Sequence, residues 1–135
     1  MRPTSVSEAA IEYVNAYNSH DRDRLARCYD ADFRVMNPLW EGEKTTEETV
    51  EVLTHVWRTL PGVRFELLNL VVEQDTAVIE FHVAWDDPTQ GSEPVTRRLP
   101  VVDVFNIRGG RLFRLRAYMD ATQFGQWLDR MEQHG

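Results

Sequence analysis

Apolar residues recur at helical spacing in four stretches of the chain and at alternate positions in five others. Val6, Ala10, Tyr13, Val14 and Tyr17 lie on one helical stripe, and Ser5 with Glu8 has the form of a capping box, which predicts a helix over 6–17. The polar run Asn18-Ser19-His20-Asp21 ends it. Asp21 can cap a short second helix whose buried side is Leu25, Cys28 and Tyr29. Phe33, Val35 and Asn37 then alternate with Arg34 and Met36, a short strand stopped by Pro38, which has no N–H to give to a ladder. Thr45 with Glu48 caps a third helix carrying Val50, Leu53, Trp57 and Leu60, and Pro61-Gly62 closes it. Strand-like runs follow at 63–73, 76–86, 95–107 and 111–119, separated by turn-forming segments. Asp120 with Gln123 caps a last helix bearing Phe124, Trp127, Leu128 and Met131.

Helices followed by a strand meander predict an α+β fold, a curved and mainly antiparallel sheet wrapped by the N-terminal helices into a cone with an apolar interior. A chain of 135 residues without a repeat or linker makes one domain, residues 1–135. A net charge of −7 disfavours nucleic acid and membrane surfaces as partners and leaves small neutral or weakly acidic molecules. The single Cys28 has no internal disulfide partner, and no stretch has the apolar length of a signal peptide or a membrane helix, so a cytoplasmic location is expected. The four histidines are scattered and no Gly-rich phosphate loop occurs, so neither a metal nor a cofactor is expected.

One residue breaks the pattern. In LPVVDVFNIRGG, residues 99–110, Asp103 sits among Val101, Val102, Val104 and Phe105, residues that suit a half-buried pleated surface as a carboxylate does not. Facing inward, it must be paired, hydrogen-bonded or protonated. Facing outward, it is an ordinary solvated charge.

The segments EYVNAYNSHDRDRLARCYDADFRVMNP and VVDVFNIRGGRLFRLRAYMD, with the order of elements around them, resemble the nuclear-transport-factor-2-like superfamily, and within it the SnoaL-like and ketosteroid-isomerase-like group. The resemblance implies a cystatin-like α+β barrel, a fold that hosts isomerases, cyclases, dehydratases, hydrolases and binding modules alike. It places Tyr13 at the oxyanion-hole tyrosine of the isomerase and Asp103 at an aspartic acid kept neutral by its apolar site so that it can donate. It also places Asn37 where the isomerase has the aspartate that shuttles the proton, and an amide has no usable basicity. The positions at which epoxide hydrolases of this fold hold their water-activating Arg and Asp residues are here His82, Ala84 and Ala117, and Ala117 also stands where SnoaL-type cyclases keep an acid/base aspartate.

A replacement base is sought on AVIEFHVAW, residues 77–85. Alternation puts Glu80, His82 and Ala84 on one face and Ile79, Phe81, Val83 and Trp85 on the other. From the pattern alone the apolar face is core. The resemblance implies the reverse, with Glu80 and His82 looking into the cone and the apolar face outside, covered by a second copy in a homodimer. The expected site is then Tyr13, Asp103, His82, Asn37 and Glu80 as chemical groups, with Tyr17, Leu39, Trp57, Leu60, Val101, Phe105, Leu115, Ala117 and Met119 as substrate-binding wall. For Tyr13 a plain core tyrosine, and for Glu80 and His82 a solvated strand face, are the alternatives. The resemblance thus implies a cofactor-free isomerase, cyclase or lyase acting on an apolar, polyketide- or steroid-like carbonyl compound. A non-catalytic binding or assembly domain is the alternative.

Overall fold

The computed structural model of the protein describes residues 5–88 and 91–134. Its elements run α1 (Val6–Ser19), α2 (Arg22–Ala26), β1 (Tyr29–Met36), α3 (Thr46–Thr59), β2 (Arg64–Glu73), β3 (Thr76–Asp87), β4 (Val95–Arg108), β5 (Arg111–Met119) and α4 (Ala121–His134). The caps are those the sequence foretells. Ser5 Oγ accepts from the Glu8 N–H, Asp21 accepts from the Asp23 and Arg24 N–H groups, and Thr45 with Glu48 forms a reciprocal capping box. Asp120 Oδ1 accepts from the Gln123 N–H at 3.0 Å. Gly62, at φ 67°, makes the left-handed turn that ends α3 and enters β2. The expected loop between β3 and β4 includes residues 89 and 90, which lie outside the described residues.

The five strands form one sheet in the order β1-β5-β4-β3-β2. Four of them make an antiparallel meander, while β1 joins β5 in parallel, with Val35 opposite Leu115. The sheet is open, with β1 and β2 as its edges, and helices complete the cone. Tyr29 opens β1 and does not belong to α2 as expected, since Cys28 still bonds back to Leu25 and the ladder begins at Tyr29 opposite Leu112.

The face of β3 expected from the resemblance is corrected. Ile79, Phe81, Val83 and Trp85 are all at most 5% exposed and point into the molecule, whereas Glu80 is exposed and His82 half-buried on the opposite face. Plain alternation gives the right answer because the interior is where apolar area is removed from water. A homodimer surface made of those four apolar residues is therefore ruled out. The outer face carries Val78, Glu80 and His82 of β3, Val102 and Val104 of β4 and the exposed Tyr118 of β5, aligned by register.

Helix α4 is fastened to the sheet by charge. Asp87, fully buried at the end of β3, receives Arg97 of β4 at 3.1 Å and Arg130 of α4 at 2.5 Å. Trp127 packs against Trp85 nearby, with ring centroids 5.8 Å apart.

Candidate functional site

The concave face of the sheet, α1, α3, α4 and the segment after β1 enclose a cavity of about 210 Å³. Its wall is apolar, with Phe33, Val35, Phe65, Phe81 and Val83 from the sheet, Val52, Leu53 and Val56 from α3, and Phe124 and Leu128 from α4. A shallower groove shares Asn37, Trp40, Ala117 and Met119 with it and continues outward past Glu43, Arg116 and Tyr118, which marks the cavity's mouth.

Among the described residues Asp103 is the only carboxyl in the wall. It lies on β4 opposite Ile79 of β3 and Ala117 of β5, at 4% exposure, and takes part in no hydrogen bond or ion pair with any described residue. Burial alone pushes its pKa up to about 8, so at neutral pH it is mainly the neutral acid, a hydrogen-bond donor. Tyr13 reaches the cavity from α1, edge-on to Tyr29 at 5.9 Å, Phe65 at 6.0 Å and Phe105 at 5.9 Å. Its pKa stands well above the usual phenol range, first from burial and then from the proximity of Tyr29 and Asp103. It too is a neutral donor at physiological pH.

Tyr29 is a wall residue that pattern reading misses, because its apolar ring also fits the stripe of α2; its even spacing to Phe33 and Val35 is the signal that could have found it. Its hydroxyl oxygen is buried against that of Tyr13, short of a well-formed hydrogen bond but near enough for one between the two hydroxyls to lower the Tyr29 pKa and raise that of Tyr13. Asn37 stands at the mouth, where its Oδ1 accepts the Leu39 N–H at 2.9 Å and so leaves the amide NH₂ as the group still to be used. Thr49 also lines the cavity, but its hydroxyl is committed to the Thr45 carbonyl at 2.7 Å.

Of the expected wall residues, Tyr17, Leu39, Val101, Leu115, Ala117 and Met119 line the cavity. Trp57, Leu60 and Phe105 do not. Leu60 and Phe105 are fully buried behind the wall, and Trp57 is wedged between Tyr17 and His20, with ring centroids at 5.6 and 4.9 Å. A helical or strand stripe reports burial, and a second layer of core is as buried as a cavity wall. Glu80 and His82 are separated from the cavity by the sheet itself. Among the described residues no group of three or more His, Cys, Asp or Glu is placed to hold a metal ion.

The sequence profile of the SnoaL-like domain matches residues 10–115. No curated protein matches the chain in sequence. Among solved structures the chain is similar to IdmH, a proposed polyketide cyclase from Streptomyces antibioticus, at TM-score 0.78 and 14% identity over 93% of this chain and 99% of that one. It is similar to AclR, a proposed hydroxylase from Streptomyces galilaeus, at TM-score 0.72 and 15% identity, covering 93% and 96%. A nuclear-transport-factor-2-like protein of unknown function from Cytophaga hutchinsonii superposes at TM-score 0.71 and 10% identity, covering 92% and 97%. At such identities the likeness is one of fold.

Proposed function

The chain belongs to the SnoaL-like domain family, and from that premise we propose that it is a cofactor-free cyclase- or lyase-type enzyme acting on a compact apolar carbonyl compound. The observation that carries this reading is Asp103, a buried carboxyl with no protein partner in an apolar cavity beside Tyr13. In this reading Tyr13 and the neutral Asp103 donate to one carbonyl oxygen. As that oxygen gains enolate charge, both hydrogen bonds strengthen in a low-dielectric cavity that needs little reorganisation.

The isomerase-type shuttle from carbon to carbon is the least favoured branch. It needs a base over the substrate, and Asn37 supplies an amide there while Glu80 and His82 lie on the other side of the sheet. Cyclisation or elimination asks less, because a substrate whose carbon acid is already activated gives up its proton readily. Asn37 then orients the substrate through its NH₂.

The same lack of a dedicated base favours a second reading, a pocket that binds such a compound without converting it. The two are separated by a polycyclic phenol, an enolate mimic, titrated by absorbance against wild type, Asp103→Asn and Tyr13→Phe, followed by deuterium exchange at the α-carbon of a bound ketone. Binding that both substitutions weaken, with exchange faster than in buffer, supports the enzyme. Binding without exchange supports the second reading, and equal binding by all three forms removes Tyr13 and Asp103 from both.

Two further expectations belong to this reading. The outer sheet face of Val78, Val102, Val104 and Tyr118 suits a second copy of the chain, so Val104→Asp is expected to shift a dimer to monomer in light scattering. The lone buried Cys28, whose thiol burial raises to a pKa of about 11 and so keeps unreactive, suits a cytoplasmic setting.

A further inference from the structure

We propose that the compact carbonyl compound is the head of a longer molecule, and that a neutral alkyl tail, borne on the carbon beside the carbonyl, leaves the cavity over Ala117 and lies in the outer groove. The inference rests on the reading of Asp103 just given and names the substrate class of that same site.

The cavity and the groove are joined. Asn37, Trp40, Ala117 and Met119 line both, and the groove, of about 490 Å³, continues between the loop after β1 and the end of β5. Strand pairing explains the gap. The β1 strand ends at Met36 opposite Arg116, so β5 runs on from Ala117 to Met119 with no strand on that side. The loop that borders the gap is held in place. Val35 and Lys44 exchange two backbone hydrogen bonds of 3.1 Å across its base, the Trp40 N–H donates to the Asn37 carbonyl at 3.0 Å, and the Lys44 ammonium lies 5.4 Å over the Trp40 ring. Trp40 thus stands between the two spaces, and Ala117 is the smallest of the four side chains they share.

The groove is apolar and open. Met36 and Tyr118, at 55% and 56% exposure, line it together with Pro38, Trp40 and Met119. An exposed apolar patch continuous with a ligand cavity marks where more of the ligand lies. The charged residues of the groove are Glu43 and Arg116, one of each sign, so a neutral tail is favoured over either charge. A second copy laid on the outer sheet face reaches Tyr118 and stops there, because Ala117 and Met119 turn inward to the cavity.

Register gives the point of attachment. Ala117 is the ladder partner of Asp103, and residues directly opposite each other hold their Cβ atoms about 5 Å apart. An oxygen hydrogen-bonded to Asp103 is therefore beside the passage, and a tail that enters the passage starts from the next carbon.

The test titrates 1-tetralone and its 2-ethyl, 2-butyl and 2-hexyl derivatives into the whole chain by calorimetry. A fully buried methylene is worth about fourfold in affinity, and about twofold where one side stays in water. Wild type is expected to bind the hexyl compound at least tenfold more tightly than the ethyl compound. The double variant Met36→Asn with Tyr118→Asn, whose side chains lie mostly in water and outside the core, is expected to reduce that gain to threefold or less. Ala117→Leu, which narrows the passage, is expected to make the hexyl compound bind more weakly than the ethyl. No gain in wild type, or a gain that survives either the double variant or Ala117→Leu, overturns the inference. If Asp103→Asn still weakens 1-tetralone in those cases, the reading of the head stands without the tail. If no ketone binds wild type, both fall.

Discussion

Two aspartates are buried among the described residues, and they are treated in opposite ways. Asp87, at the end of β3, meets two guanidinium groups and ties α4 to the sheet. Asp103, on the neighbouring strand, meets no cation and is surrounded by apolar wall. A paired buried carboxylate can be accounted for by the architecture it holds together. An unpaired one at the surface of a cavity lowers stability and adds nothing to packing that Leu or Asn could not, so its reason lies in what occupies the cavity.

Substitution should separate the two most sharply in stability. Asp87→Ala leaves Arg97 and Arg130 facing each other without their anion and is expected to cost about 3 kcal/mol, read as a lower urea midpoint. Asp103→Asn is expected to weaken binding of a phenolate about ten- to hundredfold, the worth of a hydrogen bond to a charged oxygen, and to leave the fold intact.

Next in size is the pH dependence. The Asp103 carboxyl rises from 3.8 to about 8 on folding, so between those pH values the folded chain holds a proton that the unfolded chain does not. Its stabilising contribution is whole below about pH 4 and is lost as pH climbs through about 8. Wild-type stability should therefore slope downward across that window, and Asp103→Asn should flatten the slope and be the more stable form at pH 8; urea unfolding of both at several pH values decides it. The smallest effect is expected for His82→Ala and Glu80→Gln, which lie across the sheet from the cavity and should change phenol affinity less than twofold. A larger loss would put one of them back in the site.

Most of the fold was legible because its signals are local. Caps at Ser5, Asp21, Thr45 and Asp120, and the turns at Pro61-Gly62 and Gly109-Gly110, are decided within a few residues of themselves. Asp103 was legible for a different reason, as a charge where the strand pattern asks for an apolar residue. The boundary at Tyr29 was not, since Leu25, Cys28 and Tyr29 satisfy a helical stripe as well as Tyr29, Phe33 and Val35 satisfy a strand, and only the distant partner β5 decides between them. The orientation of Glu80 and His82 shows the converse. Simple alternation was right, and superposing a relative's site on this strand exchanged its two faces, the consequence of a one-residue slip at period two.

The parallel pairing of β1 with β5 also orders events in time. The residues between them include one helix and three strands, so β1 leaves the ribosome long before its partner exists and cannot join the sheet until the chain is made as far as Met119. Contacts that wait for such distant segments form slowly. Tyr29 is carried by the early strand and Asp103 by a late one, so the pocket is closed among the last steps of folding, and a chain truncated after β4 keeps every proposed donor but lacks the side of the wall that β5 and α4 supply.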